Sequence, residues 1–344
     1  MDLVLGPLMR SLDRLKILSN GKRPTVPHAP YTRDMAHIMS QEFLEEPEKF
    51  YFRPEAISKV QVLAERPFHG RLLTEIAFPS PIPTRWPQNN TGYAYHLRIN
   101  DGREHPAMLM LHGWGRRSLS MELRLVGLGF ARHGIETLLM VMPYHLRRAP
   151  AGSWSGEYMI SGDVVRTAES FQQTVVEARA ILPWLRHLSP AIGFFGMSLG
   201  GIIGHLLMTV EHFAAGITMI AGGNSAGVTW EGRMTRFVRR DIERAGISRE
   251  QLEKIWAVTN PTVLAPHNKV RNLLMMAGKF DEIVLPKFTQ ELWEALGHPR
   301  IHWYPCAHYS SIFFLPRIAD QAARFFLAHL GDPGRKTIDG QCPV

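Results

Sequence analysis

The sequence predicts an α/β fold, a mostly parallel sheet with helices on both faces. Three observations predict it. Short apolar runs of strand length alternate with helical patterns over most of the chain. One junction is unusually sharp: Ala191 to Phe195 runs into Gly196-Met197-Ser198-Leu199-Gly200, and a helical stretch, Ile202 to Val210, follows at once. The composition supplies the core: 344 residues, 45% of them hydrophobic, can bury a large interior.

The elements follow in order. Leu3 to Leu18 places Leu5, Leu8, Met9, Leu12, Leu15 and Leu18 at helical spacing with Arg10, Arg14 and Lys16 between them. That is an amphipathic helix, broken near Gly6-Pro7, able to dock on its own protein, on a second copy or on a membrane surface. Asn20 to Pro30 is a Pro-rich linker and Tyr31 to Glu65 reads as mixed helix and loop. Leu72 to Phe78 and Gly92 to Ile99 are strands around a proline-rich loop, Pro79 to Asn90. Ala107 to Leu111 is a buried strand, Met121 to His133 a helix and Thr137 to Val141 a strand. Val164 to His187 is a long helix before the strand that ends at the Gly-rich turn. Ile217 to Ala221, Asn272 to Gly278 and Ile301 to Tyr304 complete the strands, and a helix begins near Ile312.

The connection between Ala221 and Asn272 runs to about fifty residues, where a parallel sheet needs only a short one. Its helical patterns, Thr235 to Ala245 and Arg249 to Trp256, are expected to form a small cap over the crevice. Trp230, Phe237, Ile242, Leu252, Ile255 and Trp256 either line its underside or pack it. The expected organisation is an N-terminal helical extension (1–70), one α/β domain (71–331) with a cap at about 222–270, and a tail (332–344).

Gly196-Met197-Ser198-Leu199-Gly200 is G-x-S-x-G in strand–turn–helix context, which projects a serine hydroxyl from a strained turn. A serine nucleophile needs a base, an orienting acid and an oxyanion site. Asp281 follows the strand ending at Gly278 and is the candidate acid, with Glu282 the fallback. His308 lies in the loop after the last strand and is the candidate base. His112, His145, His205 and His302 are read as core or surface histidines. The Leu199 N–H and an N–H from His112-Gly113-Trp114-Gly115 are the candidate oxyanion donors, with Trp114 preferred and Gly115 the alternative. The loop carrying His145 and Arg148 follows a strand at the crevice edge; Arg148 suits an anion or, more simply, a salt bridge.

The order Ser198, Asp281, His308 is that of the α/β-hydrolase superfamily, which the chain resembles over roughly residues 92 to 331. Pro143-Tyr144-His145-Leu146-Arg147-Arg148-Ala149-Pro150 and His308-Tyr309-Ser310-Ser311-Ile312, ahead of Arg317 and Gln321, resemble the alpha/beta hydrolase domain-containing protein 18 branch and its bacterial relatives. That branch often has Gly before the base, where this chain has Ala307; the imidazole is untouched. The resemblance implies a serine hydrolase acting on an acyl ester, small or lipid-like, through an acyl-enzyme. An acyltransferase on the same residues and a catalytically silent binding protein are the alternatives.

Two cysteines, Cys306 and Cys342, make neither a disulfide framework nor a zinc spacing, and no elbow surrounds Cys306. No metal and no organic cofactor are expected. The formal charge of +8 raises the question of nucleic acid. Yet the densest cluster, Arg233 to Arg244, is interrupted by Asp241 and Glu243, and no binding motif accompanies it. Positive charge also suits anionic substrates or a membrane surface. No secretory signal and no 18-residue apolar run occur, so the expected place is the cytoplasm, with the N-terminal helix as the candidate peripheral membrane contact.

Overall fold

The computed structural model describes residues 2–20, 35–55, 57 and 59–330. The linker from residue 21 to 30, the tail 332–344 and Cys342 lie outside the described residues. Nine strands form one sheet: β1 (Gln61–Phe68), β2 (Arg71–Pro79), β3 (Thr91–Arg98), β4 (Ala107–Leu111), β5 (Glu136–Val141), β6 (Ile192–Met197), β7 (Gly216–Met219), β8 (Leu273–Gly278) and β9 (Arg300–Tyr304). Their order is β1-β2-β3-β5-β4-β6-β7-β8-β9. The strands from β5 across to β9 are parallel, while β1, β2 and β3 form an antiparallel meander joined antiparallel to β5.

Strands β4 to β8 are buried at every residue, as a parallel sheet covered on both faces requires. Alternate side chains supply the two cores. Leu109, Leu138, Met140 and Phe194 pack with the helices Val164–Leu188 and Leu199–Val210. Met108, Met110, Leu139 and Phe195 pack with Leu123, Val126 and Phe130 and with the helix Leu315–Ala328. Parallel direction brings the ends of β4, β5, β6, β8 and β9 to one edge of the sheet. Every loop that matters below leaves from that edge.

Three elements differ from the sequence reading. Residues 61–68, inside or beside the stretch read as helix and loop, form strand β1. The N-terminal helix runs unbroken from Asp2 to Asn20 with Pro7 inside it. Glu122–Gly127, within the expected helix, is a π-helix that leads into the α-helix Leu128–Arg132. Among the described residues no helix is long and apolar enough to cross a membrane.

Candidate active site

β6 passes into the helix Leu199–Val210 through one residue, Ser198, at φ 53° and ψ −119°. This is a sparsely populated conformation for an L-residue, costing of order 1–3 kcal/mol unless its surroundings enforce it. They do. The Ser198 N–H donates to Met219 O (2.9 Å), and Ser198 O accepts from the N–H of Gly201 (2.8 Å) and Ile202 (3.0 Å). A Cβ on Gly196 would sit 2.5 Å from Gly200 O, and one on Gly200 would overlap the Leu111 carbonyl. The turn closes because both residues lack a side chain.

Asp281 and His308 arrive from the ends of β8 and β9. Asp281 Oδ1 accepts the N–H of Ile283 (2.8 Å) and Val284 (2.9 Å), which fixes the carboxylate. Its Oδ2 lies 2.7 Å from His308 Nδ1, and His308 Nε2 lies 2.9 Å from Ser198 Oγ. A carboxylate only accepts, so Nδ1 carries the proton and Nε2 is left to accept from the serine hydroxyl. Burial pulls the imidazole pKa down, but the charge and hydrogen bond of Asp281, with the charge of Asp13, outweigh it and hold His308 above its ordinary value. Glu282 faces elsewhere: Arg14 and Arg233 hold its carboxylate at 2.7 and 3.0 Å.

The first loop is pinned by two imidazoles in a reciprocal arrangement. His112 Nδ1–H donates to Gly113 O (2.8 Å) and its Nε2 accepts the Met142 N–H (3.1 Å). His145 Nδ1–H donates to Pro143 O (2.8 Å) and its Nε2 accepts the Gly115 N–H (3.0 Å). Each ring therefore ties its own loop to the other. Burial drives His112 down to about 4, so it stays neutral and able to accept. The Trp114 indole N–H donates to Gly156 O (2.6 Å). A Cβ on Gly156 would lie 2.5 Å from His145 Nε2, so glycine is needed for the approach. The Gly115 N–H is committed to His145, which removes it as the alternative oxyanion donor. Arg148 holds the second loop from within. It is fully buried and binds Glu177 through two nitrogens (2.7 and 2.6 Å), with further bonds to Val141 O and Asn89 O. It is the salt bridge of the two roles considered, not an exposed anion site.

A cavity of ≈ 580 Å³ opens over Ser198 and His308. Met121, Met197, Ile220, Met234, Ile283 and Leu315 give it apolar walls, and Lys16, Arg116 and Arg117 add cations. The expected cap side chains do not line it. Among the described lining residues Met234 alone comes from the segment 222–270. Trp256 is buried with its indole N–H on Val164 O (2.8 Å), and Ile242, Leu252 and Ile255 belong to the core. Trp230 lies under the Arg239 guanidinium (5.1 Å), while Phe237 stacks on Trp114 (6.1 Å). Apolar content alone does not distinguish a wall from packing. The sequence reading also missed Asp13, Lys16 and the supporting roles of His112 and His145; for the histidines, their position beside Gly113 and Pro143 at strand ends was the available signal.

Comparison with known proteins bears on the family and the fold. The family model described as alpha/beta hydrolase domain containing 18 matches residues 40–282. An uncharacterized protein of Mycobacterium tuberculosis, Rv2627c, is 27% identical over 83% of this chain and 73% of its own. The solved acetyl xylan esterase from Paenibacillus sp. R4 superposes with a TM-score of 0.65 at 14% identity, covering 86% of this chain and 98% of that one. An S-formylglutathione hydrolase from Agrobacterium tumefaciens gives a TM-score of 0.55 at 14% identity over 79% and 100% of the two chains. At these identities the structural likeness speaks for the α/β-hydrolase fold.

Proposed function

The chain belongs to the alpha/beta hydrolase domain containing 18 family, and from that premise we propose that it is a serine hydrolase cleaving carboxylic acyl esters. One observation carries the reading: a continuous line of hydrogen bonds from Asp281 through His308 to a serine hydroxyl on a strained elbow, at the floor of an apolar cavity. His308 Nε2 takes the Ser198 proton as Oγ attacks the ester carbonyl. Asp281 keeps Nδ1 protonated and stabilises the imidazolium. The Leu199 and Trp114 N–H groups receive the oxyanion, each donor contributing roughly 2.7–4 kcal/mol to the transition state. His308 returns the proton to the leaving alcohol. A water, deprotonated by the same Nε2, then releases the acid and restores the serine.

Electrostatics supports the same roles. An imidazole held above its ordinary value by Asp281 is a stronger base towards the serine hydroxyl. The esterase and hydrolase names of the fold neighbours support the reaction class. The apolar walls favour a hydrophobic acyl group on a small-molecule or lipid-like ester. No nucleic acid or cofactor enters this reaction. Burial, with the charges of Asp281 and Asp13, pushes the Cys306 thiol up to about 12, so it does not compete with Ser198 as nucleophile.

The test is covalent labelling and turnover together. A fluorophosphonate probe should label the wild-type chain and leave Ser198→Ala unlabelled, and the folded variant should lose p-nitrophenyl ester hydrolysis. Near-wild-type turnover in that variant refutes the reading. Partition of the acyl group to an added alcohol rather than water would move the assignment to an acyltransferase.

A further inference from the structure

One helix touches both loops that carry the candidate acid and base. From Asp2–Asn20, Arg14 Nε and Nη2 donate to the two Glu282 oxygens (3.0 and 2.7 Å), next to Asp281. Gly6 packs on Phe280, where a Cβ would lie 3.2 Å from the ring, and the Arg10 guanidinium stands 5.7 Å over the same ring. Asp13 crosses to the other loop. Its two oxygens accept the N–H of Tyr309 (2.9 Å) and Ser310 (3.0 Å), the residues directly after His308. Lys16 lines the cavity itself. The helix lies outside residues 40–282, the span that the family model matches.

The distribution of side chains on this helix is inverted. Leu8, Leu12, Leu15 and Leu18 are exposed, while Asp13 is fully buried. A helix held by the hydrophobic effect alone would bury its leucines. A buried carboxylate is costly unless hydrogen-bonded, and the two N–H groups meet that need. They also fix the backbone from which the imidazole projects, and the Asp13 carboxylate adds a negative charge that acts on it.

We propose that Asp13 is a positioning residue for His308 and that the helix Asp2–Asn20 is an integral part of the active centre, an inference resting on the Ser198–His308–Asp281 reading. Asp13 holds the base loop against the serine. Its charge adds to that of Asp281 in stabilising the imidazolium formed when Ser198 gives up its proton. Among the described residues, the other ionisable groups around the site are Asp281, the Cys306 thiol and Tyr309 beside His308, Arg10, Arg14 and Lys16 on the same helix, Glu282 with Arg233 on the acid side, and Arg116, Arg117 and Glu122 on the cavity wall.

Full-length Asp13→Asn, Asp13→Ala and Arg14→Gln are compared with wild type by ester kinetics across pH, with near-UV circular dichroism to verify folding. Asp13→Asn keeps one acceptor and removes the charge. It should lower kcat roughly ten-fold with KM nearly unchanged, and Asp13→Ala should lower it further, towards a hundred-fold, the range of a hydrogen bond to a charged group. In both, the acid limb of kcat/KM should move to lower pH, because the imidazolium has lost a neighbouring anion. Arg14 is half exposed, so Arg14→Gln should fold and loosen the helix, with a smaller fall in kcat and KM nearly unchanged; losing a cation by itself moves the limb to higher pH, so the limb is read on the Asp13 variants. Folded variants with unchanged kcat and an unchanged limb, whatever their melting temperature, would make Asp13 a simple anchor and overturn the proposal. If the Asp13 variants do not fold, the kcat-against-KM split of Arg14→Gln decides: a fall in kcat with KM unchanged supports the proposal, and an unchanged kcat overturns it. Turnover surviving Ser198→Ala is a different failure, that of the triad reading itself.

Discussion

Ser198 holds its left-handed backbone because nothing around it can give way. The neighbouring glycines face backbone atoms, so an added methyl group cannot be accommodated by turning a flexible side chain. Gly200→Ala should therefore cost at least the 1–3 kcal/mol typical of overpacking, about that much or more. The measurement is the urea midpoint. A variant as stable as wild type would mean that the elbow adjusts more freely than its contacts with Leu111 imply. For the acid, Asp281→Asn should leave the fold intact and lower kcat by about 10⁴, because the amide favours the wrong imidazole tautomer. Wild-type kcat in that variant would remove Asp281 from the mechanism.

His145 makes a separate residue-scale case. Its Nε2 is the acceptor that takes the Gly115 N–H and fixes the strand-end loop carrying Trp114. His145→Ala should loosen that loop and lower kcat by about 10², approaching the loss of one oxyanion donor. His145→Gln, whose side-chain oxygen can accept the same N–H, should recover part of it. Equal losses in both variants would point to packing rather than to the hydrogen bond. Ser198, Asp281 and His308 were legible because each follows a strand in a recognisable loop. Asp13 was not, since 296 positions separate it from the backbone N–H of Tyr309. No periodicity carries such a contact.

Among the elements, strands β2 to β9 were legible because their residues are hydrophobic on one face or both. β1 was not, and its burial explains why. Seven of its eight residues are exposed, and only Phe68 is buried. With no face to bury, the strand has no pattern to read; pairing with β2 alone defines it, across an irregularity between Val62 and Ala64. The π-turns of Glu122–Gly127 were likewise invisible, since a shift of hydrogen-bond partner leaves composition unchanged. The long segment between β7 and β8 is helical, as its periodicity implies, but sequence alone does not sort its side chains into wall and packing. The structure now sorts them. Met234, rather than Trp230 or Trp256, faces the cavity. Activity should rise from acetyl to medium-chain esters, by about 0.8 kcal/mol for each methylene buried, or roughly four-fold in kcat/KM. Met234→Trp should end that rise at shorter chains while sparing acetyl esters. A length profile identical to wild type would place the acyl group elsewhere in the cavity.

At the scale of the whole molecule, the buried histidines link stability to pH. Burial depresses His112 to about 4 and His205 to about 3. The unfolded chain takes up protons near the ordinary imidazole value of about 6.5, which the folded chain refuses. Stability is then full above that value and falls as pH drops through the window below it. At pH 5.5 each of the two should remove about 1 kcal/mol. His308 has the opposite sign. Its raised value contributes stability that is present in acid and lost as pH rises through the folded pKa. Asp13 and Glu122, both raised chiefly by burial, destabilise the neutral-pH fold, and acid relieves that cost only once they protonate. His205 is the cleanest site for a test. It lies on the elbow helix, its Nδ1 has no partner, and its Nε2 meets only the Thr218 hydroxyl at 3.1 Å. His205→Leu removes the titrating group and keeps the apolar volume. Between pH 7.5 and 5.5, urea unfolding of wild type should lose more stability than that of His205→Leu, by about 1 kcal/mol. The comparison is of slopes, so any change in absolute stability from the substitution cancels. Equal losses in the two proteins would show that His205 takes up its proton without unfolding the chain, and that the acid sensitivity of the fold lies with other groups.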